Sequence, residues 1–203
     1  MINKQYCKII AFEGIDSLGK STQVQQLRDF YCEKGFRCVV VKSPYNEGIT
    51  YKLIYWMLRT GWARTFPNLF QLIHFINKIY FQTFKLKKLL ASNDYLIFDR
   101  WVASMWAYGV ADDASLLFTE WLVRRIIQPD VTIILIGTPF GREQQKDSYE
   151  SDYTYQYVVQ TLYMLWQKDY KNSCHIVNAN QDVGVVFVDV IRKIICGDRI
   201  YKE

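Results

Sequence analysis

The fold of this chain is decided by one stretch of its sequence, Gly14-Ile15-Asp16-Ser17-Leu18-Gly19-Lys20-Ser21. This stretch matches the pattern GxxxxGK[ST] at every position. An apolar run from Cys7 to Glu13 precedes it, and a segment of helical period begins at Lys20. A strand, a glycine loop and a helix in this order predict a phosphate-binding loop. In such a loop the backbone N–H groups and the positive end of the helix face phosphate oxygens.

The side chains of this loop are suited to a nucleoside triphosphate. Lys20 can bridge its outer phosphates, and the Ser21 hydroxyl can bind Mg²⁺. A glycine turn with a merely solvated lysine is the alternative, and the strand–loop–helix context argues against it. The predicted nucleotide-binding residues are Gly14, Ile15, Asp16, Ser17, Leu18, Gly19, Lys20, Ser21 and Thr22.

Strand and helix patterns alternate along the rest of the chain. Strands are predicted at 7–13, 37–41, 95–98, 131–136 and 175–178. Helices are predicted at 20–34, 50–59, 67–91, 115–127, 153–170 and 181–196. This alternation indicates parallel strands joined by crossover helices. We therefore predict an α/β fold, a P-loop NTPase-type three-layer α/β/α domain with a five-stranded parallel sheet. Its ligands should lie beyond the carboxyl ends of the strands.

Composition excludes several classes of protein. The chain has 203 residues, 50% hydrophobic and 22% charged, with no linker or repeat, which predicts a single domain over residues 1–203. Five cysteines without CxxC spacing argue against a disulfide framework or zinc site and favour a reducing, cytoplasmic compartment. No run is long enough to span a membrane. The net charge of +5 suits anionic ligands, and the cluster Lys85-Leu86-Lys87-Lys88 fits a solvated helix face better than a nucleic-acid site.

Several blocks of the sequence resemble the thymidylate kinase family of nucleoside monophosphate kinases. They are Phe12 to Gln23, Asp99-Arg100-Trp101 with Ser104 and Ala107-Tyr108, Gln128-Pro129-Asp130-Val131, Arg142 with Asp147-Ser148-Tyr149-Glu150, and His175 to Ala179. They follow the family's order along nearly the whole chain. The resemblance implies ATP as phosphoryl donor, dTMP as acceptor, Mg²⁺ as cofactor and a homodimer.

The resemblance also implies roles for individual residues. It makes Lys20, Asp16, Arg100 and Arg142 the catalytic residues, and Ser21 and Asp99 the metal ligands. Asp99 could instead cap the next segment, and Asp16 could stabilise its own loop. Arg142 would lie in a lid of about 138–150, where a cation can stabilise charge on the transferred group. Lys146 is a second candidate for that role.

The predicted acceptor site departs from the family's pattern. Its residues would be Asp16, Lys42, His74, Phe75, Lys78, Arg100, Ser104, Tyr108 and Tyr149. Lys78 stands where the family commonly has an arginine, and a lysine cannot make the same bidentate contact. Either His74 or Phe75 would stack on the base. Gly109 offers no side chain where the family often has Gln or Thr.

The sequence therefore predicts transfer of the γ-phosphoryl group of ATP to dTMP, giving dTDP and ADP, with altered or broadened acceptor choice. A deoxynucleoside kinase of the same fold is one alternative. It would need a carboxylate base after the second strand, where Lys42-Ser43-Pro44 stands and Glu47 is the nearest acid. A nucleotide-binding regulatory protein without turnover is the other alternative.

Overall fold

The computed structural model of the chain describes residues 7–139 and 153–199, with side chains through residue 195. Its strands are β1 (Lys8–Glu13), β2 (Cys38–Lys42), β3 (Tyr95–Asp99), β4 (Val131–Ile136) and β5 (Cys174–Asn178). Its α-helices are α1 (Lys20–Glu33), α2 (Gly48–Thr60), α3 (Trp62–Thr65), α4 (Pro67–Phe81), α5 (Lys87–Ser92), α6 (Val102–Ala111), α7 (Leu116–Val123), α8 (Tyr153–Asp169) and α9 (Val183–Arg199). A π-helical turn, Gln82–Leu86, joins α4 to α5.

The five strands form one parallel sheet in the order β2-β3-β1-β4-β5, which confirms the predicted fold class. The middle strands are buried almost throughout because helices cover both faces of the sheet. The carboxyl ends of β1 and β3 are adjacent, since Phe12 pairs in register with Asp99. The loop after β1 and the residues after β3 therefore meet at one edge of the sheet.

Two aromatic side chains of β3 show how the helices cover opposite faces. Tyr95 stacks on Tyr31 of α1, with ring centroids 3.8 Å apart. Phe98, which points to the other face, packs against Phe81 of α4 at 5.8 Å and stacks on Trp101 at 4.0 Å. The sheet thus lies between a layer containing α1 and a layer containing α4, as the three-layer prediction requires.

Three helical regions differ from the sequence-based expectation, and the first is the short helix α3, which was not predicted. Helix α6 was not predicted, because nearly all its side chains are buried and no polar stripe marks a helical period. Helix α7 ends at Val123, four residues before the predicted end, and a turn follows it. Within the described ranges no helix is long and apolar enough to cross a lipid bilayer.

Candidate active site

The loop after β1 closes tightly against the neighbouring strand. Gly14 has φ of 132°, and a Cβ atom there would lie 2.5 Å from the carbonyl oxygen of Leu135 in β4. Only glycine fits this position. Gly19, with φ of 75°, turns the chain into α1, which begins at Lys20. The loop therefore presents backbone N–H groups and a helix N-terminus to the same space.

Lys20 reaches back across this loop. Its Nζ donates a hydrogen bond of 2.5 Å to the carbonyl oxygen of Ile15 and lies 3.7 Å from Asp16 Oδ1. Burial lowers the pKa of Lys20 to about 7, and repulsion by Arg100 adds to the shift, while Asp16 opposes it. A phosphate anion beside Nζ would favour the charged lysine. Binding of an anionic ligand and protonation of Lys20 should therefore favour each other.

Ser21 and Asp99 form a pair of oxygen ligands beside Lys20. The Ser21 hydroxyl donates to Asp99 Oδ2 at 3.0 Å, which joins the first turn of α1 to the end of β3. Asp99 is 5% exposed. A hydroxyl and a carboxylate on adjacent elements are the oxygen donors that Mg²⁺ prefers, and both face the cleft that Lys20 lines. These residues fit a magnesium ion.

Arg100 is held in a fixed position next to the loop. It has φ of 67°, and its backbone N–H donates to Phe12 O at 2.9 Å. Its Nη2 lies 2.5 Å from Asp16 Oδ1, and its Nη1 donates to Ser104 Oγ at 3.3 Å. Burial alone would raise the pKa of Asp16, but Arg100 and Lys20 hold that pKa below its usual value. The guanidinium and the carboxylate are therefore both charged.

Glu13, the last residue of β1, is completely buried beneath Arg100 and the start of α6. Its carboxylate accepts hydrogen bonds from the N–H groups of Trp101 at 2.9 Å and Ser104 at 3.1 Å, and from the Ser104 hydroxyl. Burial raises the pKa of Glu13, while these hydrogen bonds oppose that shift. The residue before the loop thus caps the N-terminus of α6 across a tertiary contact.

Two clefts meet at Asp16 and Arg100. The first, the phosphate cleft, follows the loop and is lined by Asp16, Ser17, Gly19, Lys20, Ser21, Thr22, Lys42, Ser43, Pro44, Asn46, Tyr51, Tyr55, Asp99 and Arg100. The second, the acceptor cleft, lies between α2, α4 and α6. It is lined by Asp16, Ser43, Pro44, Leu58, Phe70, Gln71, His74, Lys78, Arg100, Trp101, Ser104, Met105, Tyr108 and Asp112. Its walls are largely apolar and aromatic, which suits a flat ring.

Lys78 forms part of the base of the acceptor cleft and is 2% exposed. Its Nζ donates to the Ser43 hydroxyl and lies 4.7 Å from the centroid of the Trp101 ring. Burial lowers the pKa of Lys78 to about 8, while Glu13 opposes the shift. Burial also lowers the pKa of His74 to about 3, helped by Lys78. The imidazole is therefore neutral at physiological pH.

The structure brings most of the predicted site residues together. Asp16, Arg100, Ser104, Tyr108, His74 and Lys78 line the acceptor cleft, and Lys42 lines the phosphate cleft. Phe75 does not line either cleft, because it points towards Trp121 of α7, 6.4 Å between ring centroids. Of the two neighbours, His74 is the one that faces the acceptor cleft. Arg142, Lys146 and Tyr149, with most of the predicted lid, lie outside the described residues.

Several residues of the clefts were not anticipated. Phe70, Gln71 and Trp101 line the acceptor cleft, although no role was predicted for them. Glu13 lines neither cleft but binds the start of α6, and no role was predicted for it either. The spacing of Gln71, His74 and Lys78 at i, i+3 and i+7 is a signal that could have placed Gln71 on the same face of the helix. Glu13 gave no such signal, since its role depends on a helix that the sequence did not reveal.

The fold and these two clefts define a P-loop nucleotide kinase. Comparison with known proteins is more specific, because the model of the thymidylate kinase family matches residues 12–190. The chain belongs to the thymidylate kinase family, and it is an ATP-dependent nucleoside monophosphate kinase.

Relatives of known sequence and structure agree with this assignment. The chain is 30% identical over 195 residues to a probable thymidylate kinase of Staphylothermus marinus, covering 89% of this chain and 91% of that protein. It is 25% identical over 198 residues to a thymidylate kinase of Caldanaerobacter subterraneus, covering 92% and 94%. The crystal structure of thymidylate kinase from Ehrlichia chaffeensis has a similar fold, with a TM-score of 0.71 at 21% identity over 92% of this chain and 97% of that one. The Candida albicans enzyme gives 0.74 at 20% identity over 95% and 93%.

Proposed function

We propose that this protein transfers the γ-phosphoryl group of ATP to the phosphate of dTMP, giving dTDP and ADP. The observation that carries the proposal is the meeting of the two clefts at Asp16 and Arg100. One cleft has the loop and lysine for a triphosphate, and the other has aromatic walls for a nucleoside. A guanidinium at their junction suits the phosphate of an acceptor nucleotide, because its planar fork binds phosphate oxygens in pairs.

The chemical step needs positioning and charge compensation. An oxygen of the acceptor phosphate forms a bond to the γ-phosphorus while the bond to the β–γ bridging oxygen breaks, and ADP leaves. The second ionisation of a phosphate monoester has a pKa of about 6, so the attacking oxygen is already deprotonated and no protein base is needed. Lys20 would compensate charge on the donor and Arg100 on the acceptor. Arg142 and Lys146 remain proposed as lid cations.

The proposed Mg²⁺ would be held by Ser21 and, directly or through water, by Asp99. When bound, the ion supplies neutralisation of the charge on the donor phosphates. Asp99 then has a second function in the protein itself, since its hydrogen bond fixes the Ser21 hydroxyl. Tyr108, Ser104 and Lys42 are proposed to contact the acceptor, as is Tyr149 beyond the described residues.

One contact favours a nucleotide over a nucleoside as acceptor. The nearest acid after β2, Glu47, forms an ion pair with Lys85 at 2.8 Å and accepts a hydrogen bond from the Tyr45 hydroxyl at 2.7 Å. It lines neither cleft. A nucleoside kinase would need a carboxylate in reach of a sugar hydroxyl, and Glu47 is engaged elsewhere.

The test is an ADP-release assay with a panel of acceptors. Purified protein with ATP and Mg²⁺ should turn over dTMP, and thymidine should give no ADP above background. Comparing dTMP with dUMP, dCMP and the purine monophosphates measures whether acceptor choice is broadened. ADP formation with thymidine alone would establish the nucleoside kinase instead. ATP binding without turnover of any acceptor would establish a regulatory protein.

We also propose that the chain, acting as one domain in the cytoplasm, forms a homodimer through α4. Its outer face carries an exposed apolar stripe that runs into the π-helical turn: Leu69, Ile76, Tyr80 and Phe84. A second copy of the same stripe would remove it from water. Light scattering should show a dimer, and Ile76→Asp should yield a monomer. A monomeric wild-type protein at assay concentration would refute this.

A further inference from the structure

We propose that Gln71 recognises the edge of the acceptor base, and that Gly109 exists in this chain to admit its side chain. This inference rests on the proposed function, since it concerns the base of the acceptor nucleotide. Gln71 is on α4 and lines the acceptor cleft, yet it is only 2% exposed. Among the described residues, its Oε1 has no hydrogen-bond partner.

An unpartnered buried amide is costly. Leaving a buried acceptor unsatisfied costs about 1–3 kcal/mol, so most such groups in folded proteins have a partner. Gln71 lines a cleft whose exposed surface is largely apolar, and a leucine or methionine at this position would avoid that cost. A ligand that donates a hydrogen bond to Oε1 would remove the cost when it binds. Recognition of a ligand therefore explains why a polar side chain stands at this position.

Gly109 of α6 lies directly against this amide. A Cβ atom at position 109 would be 2.8 Å from Gln71 Cδ and 2.9 Å from Nε2. Any other residue would push the amide out of its present place. Gly109 is also a poor choice for a helix interior, where glycine costs about 1 kcal/mol relative to alanine. The two residues are thus complementary: one has no side chain, and the other fills the space that this leaves.

The chemistry of a carboxamide indicates which base it fits. It offers one acceptor and two donors in a plane. Thymine has an N3–H donor next to the O4 acceptor, and the Gln71 amide can pair with both at once. Lys78 has donors only, and it faces the same cleft from two turns further along α4. A lysine suits a carbonyl such as O4 and disfavours the amino group of cytosine. The pair therefore favours a base of the thymine or uracil class.

The test is a binding cycle between the side chain and the base. Wild-type protein and Gln71→Leu are titrated with dTMP and with N3-methyl-dTMP, in which a methyl group replaces the N3 hydrogen and O4 remains a carbonyl. Wild type should bind dTMP at least about tenfold more tightly than the analogue, because a buried hydrogen bond is lost. Gln71→Leu should bind both with similar affinity. Gln25→Leu, at an exposed glutamine on α1, is the matched control and should behave as wild type.

A second variant tests the role of Gly109. Gly109→Ala should weaken dTMP binding about tenfold by displacing the amide, and should have little further effect in a Gln71→Ala background. The thermal midpoint of Gln71→Leu should equal or exceed that of wild type, since a buried carbonyl oxygen without a hydrogen-bond partner is removed. A marked fall would identify Gln71 as structural and overturn the inference.

The outcomes separate this inference from the proposed function. If dTMP is phosphorylated but Gln71→Leu still prefers dTMP over its N3-methyl analogue as strongly as wild type does, this inference fails and the proposed function stands. If dTMP binds with the expected dependence on Gln71 but no ADP forms, the proposed function fails and this inference stands. Absence of dTMP binding would overturn both.

Discussion

The phosphate cleft and the acceptor cleft share Asp16 and Arg100 but are built in opposite ways. The phosphate cleft has at its centre one contiguous segment, the loop and the first turn of α1, which supplies Asp16, Ser17 and Gly19 to Thr22. The rest of its lining comes from the end of β2 and the loop after it, from α2 and from the end of β3. The acceptor cleft is lined mainly by side chains of two helices, α4 and α6, with Leu58 of α2 and the loop after β2 completing it. A contiguous segment has a fixed local geometry, whereas a cleft between helices depends on how the helices pack.

This difference shows where specificity can change. Every nucleoside triphosphate presents the same phosphates, so the loop chemistry is constrained by its ligand. The acceptor cleft must distinguish bases, and the residues proposed for that task, Lys78, His74 and Gln71, lie on a single helix face. We expect substitutions on that face to alter base selectivity and to leave ATP binding unchanged.

Lys20→Ala should have the largest effect on turnover. It should act on the donor side alone and leave the affinity for dTMP unchanged. Loss of the charge beside the phosphates should lower kcat by roughly 10²–10³-fold or more. The measurement is the steady-state rate of ADP release, with dTMP affinity followed by calorimetry. Lys34→Ala, at an exposed lysine just beyond the other end of α1, should leave the rate unchanged. Unchanged turnover in Lys20→Ala would break the assignment of the phosphate cleft.

Arg100→Lys should act mainly on the acceptor side. A lysine keeps the charge but loses the planar fork, so kcat/KM for dTMP should fall about 10- to 100-fold while the affinity for ATP changes little. Arg59→Lys, on the exposed part of α2, provides the control. A larger loss of ATP affinity than of dTMP affinity would place Arg100 with the donor.

Glu13→Gln should destabilise both clefts together. The three hydrogen bonds to Glu13 all come from donors, so the amide nitrogen of a glutamine would face a backbone N–H. We expect a loss of about 2 kcal/mol in the free energy of unfolding, measured by urea denaturation. Glu33→Gln, at the exposed end of α1, should have no measurable effect. Unchanged stability in Glu13→Gln would show that the two regions are independent.

The pH dependence of ATP binding should give the smallest effect. It tests the charge state of Lys20 in the phosphate cleft. The pKa of Lys20 is lowered to about 7 in the free protein, so the lysine is largely neutral above that pH. Phosphates favour its charged form, and ATP binding should therefore take up a proton. Affinity should fall by up to about tenfold per pH unit between 7.5 and 9, where the nucleotide itself no longer titrates.

Calorimetry at pH 8.5 in two buffers of different ionisation enthalpy measures this proton uptake directly. It should approach one proton per ATP. Equal affinity at pH 7.5 and 9, with no proton uptake, would show that Lys20 is already charged in the free protein.

The same contrast explains what the sequence could predict. The five strands, the loop and the ends of α1 follow from local patterns, and the structure places them within one or two residues of expectation. Helix α6 was missed because burial on all sides removes the amphipathic period. The choice of His74 over Phe75 could not be made from sequence, since it depends on the rotation of α4 relative to α7. The role proposed for Gln71 could not be predicted either, because it depends on contact with Gly109, which is distant in sequence.

The hydrogen bonds of Glu13 have an evolutionary consequence. One carboxylate ties the last residue before the loop to the first turn of a helix that forms a wall of the acceptor cleft. A substitution at position 104 therefore changes the hydrogen bonds of the residue at position 13. We expect a substitution at one position to require a compensating substitution at the other. In an alignment of related sequences these two columns should covary.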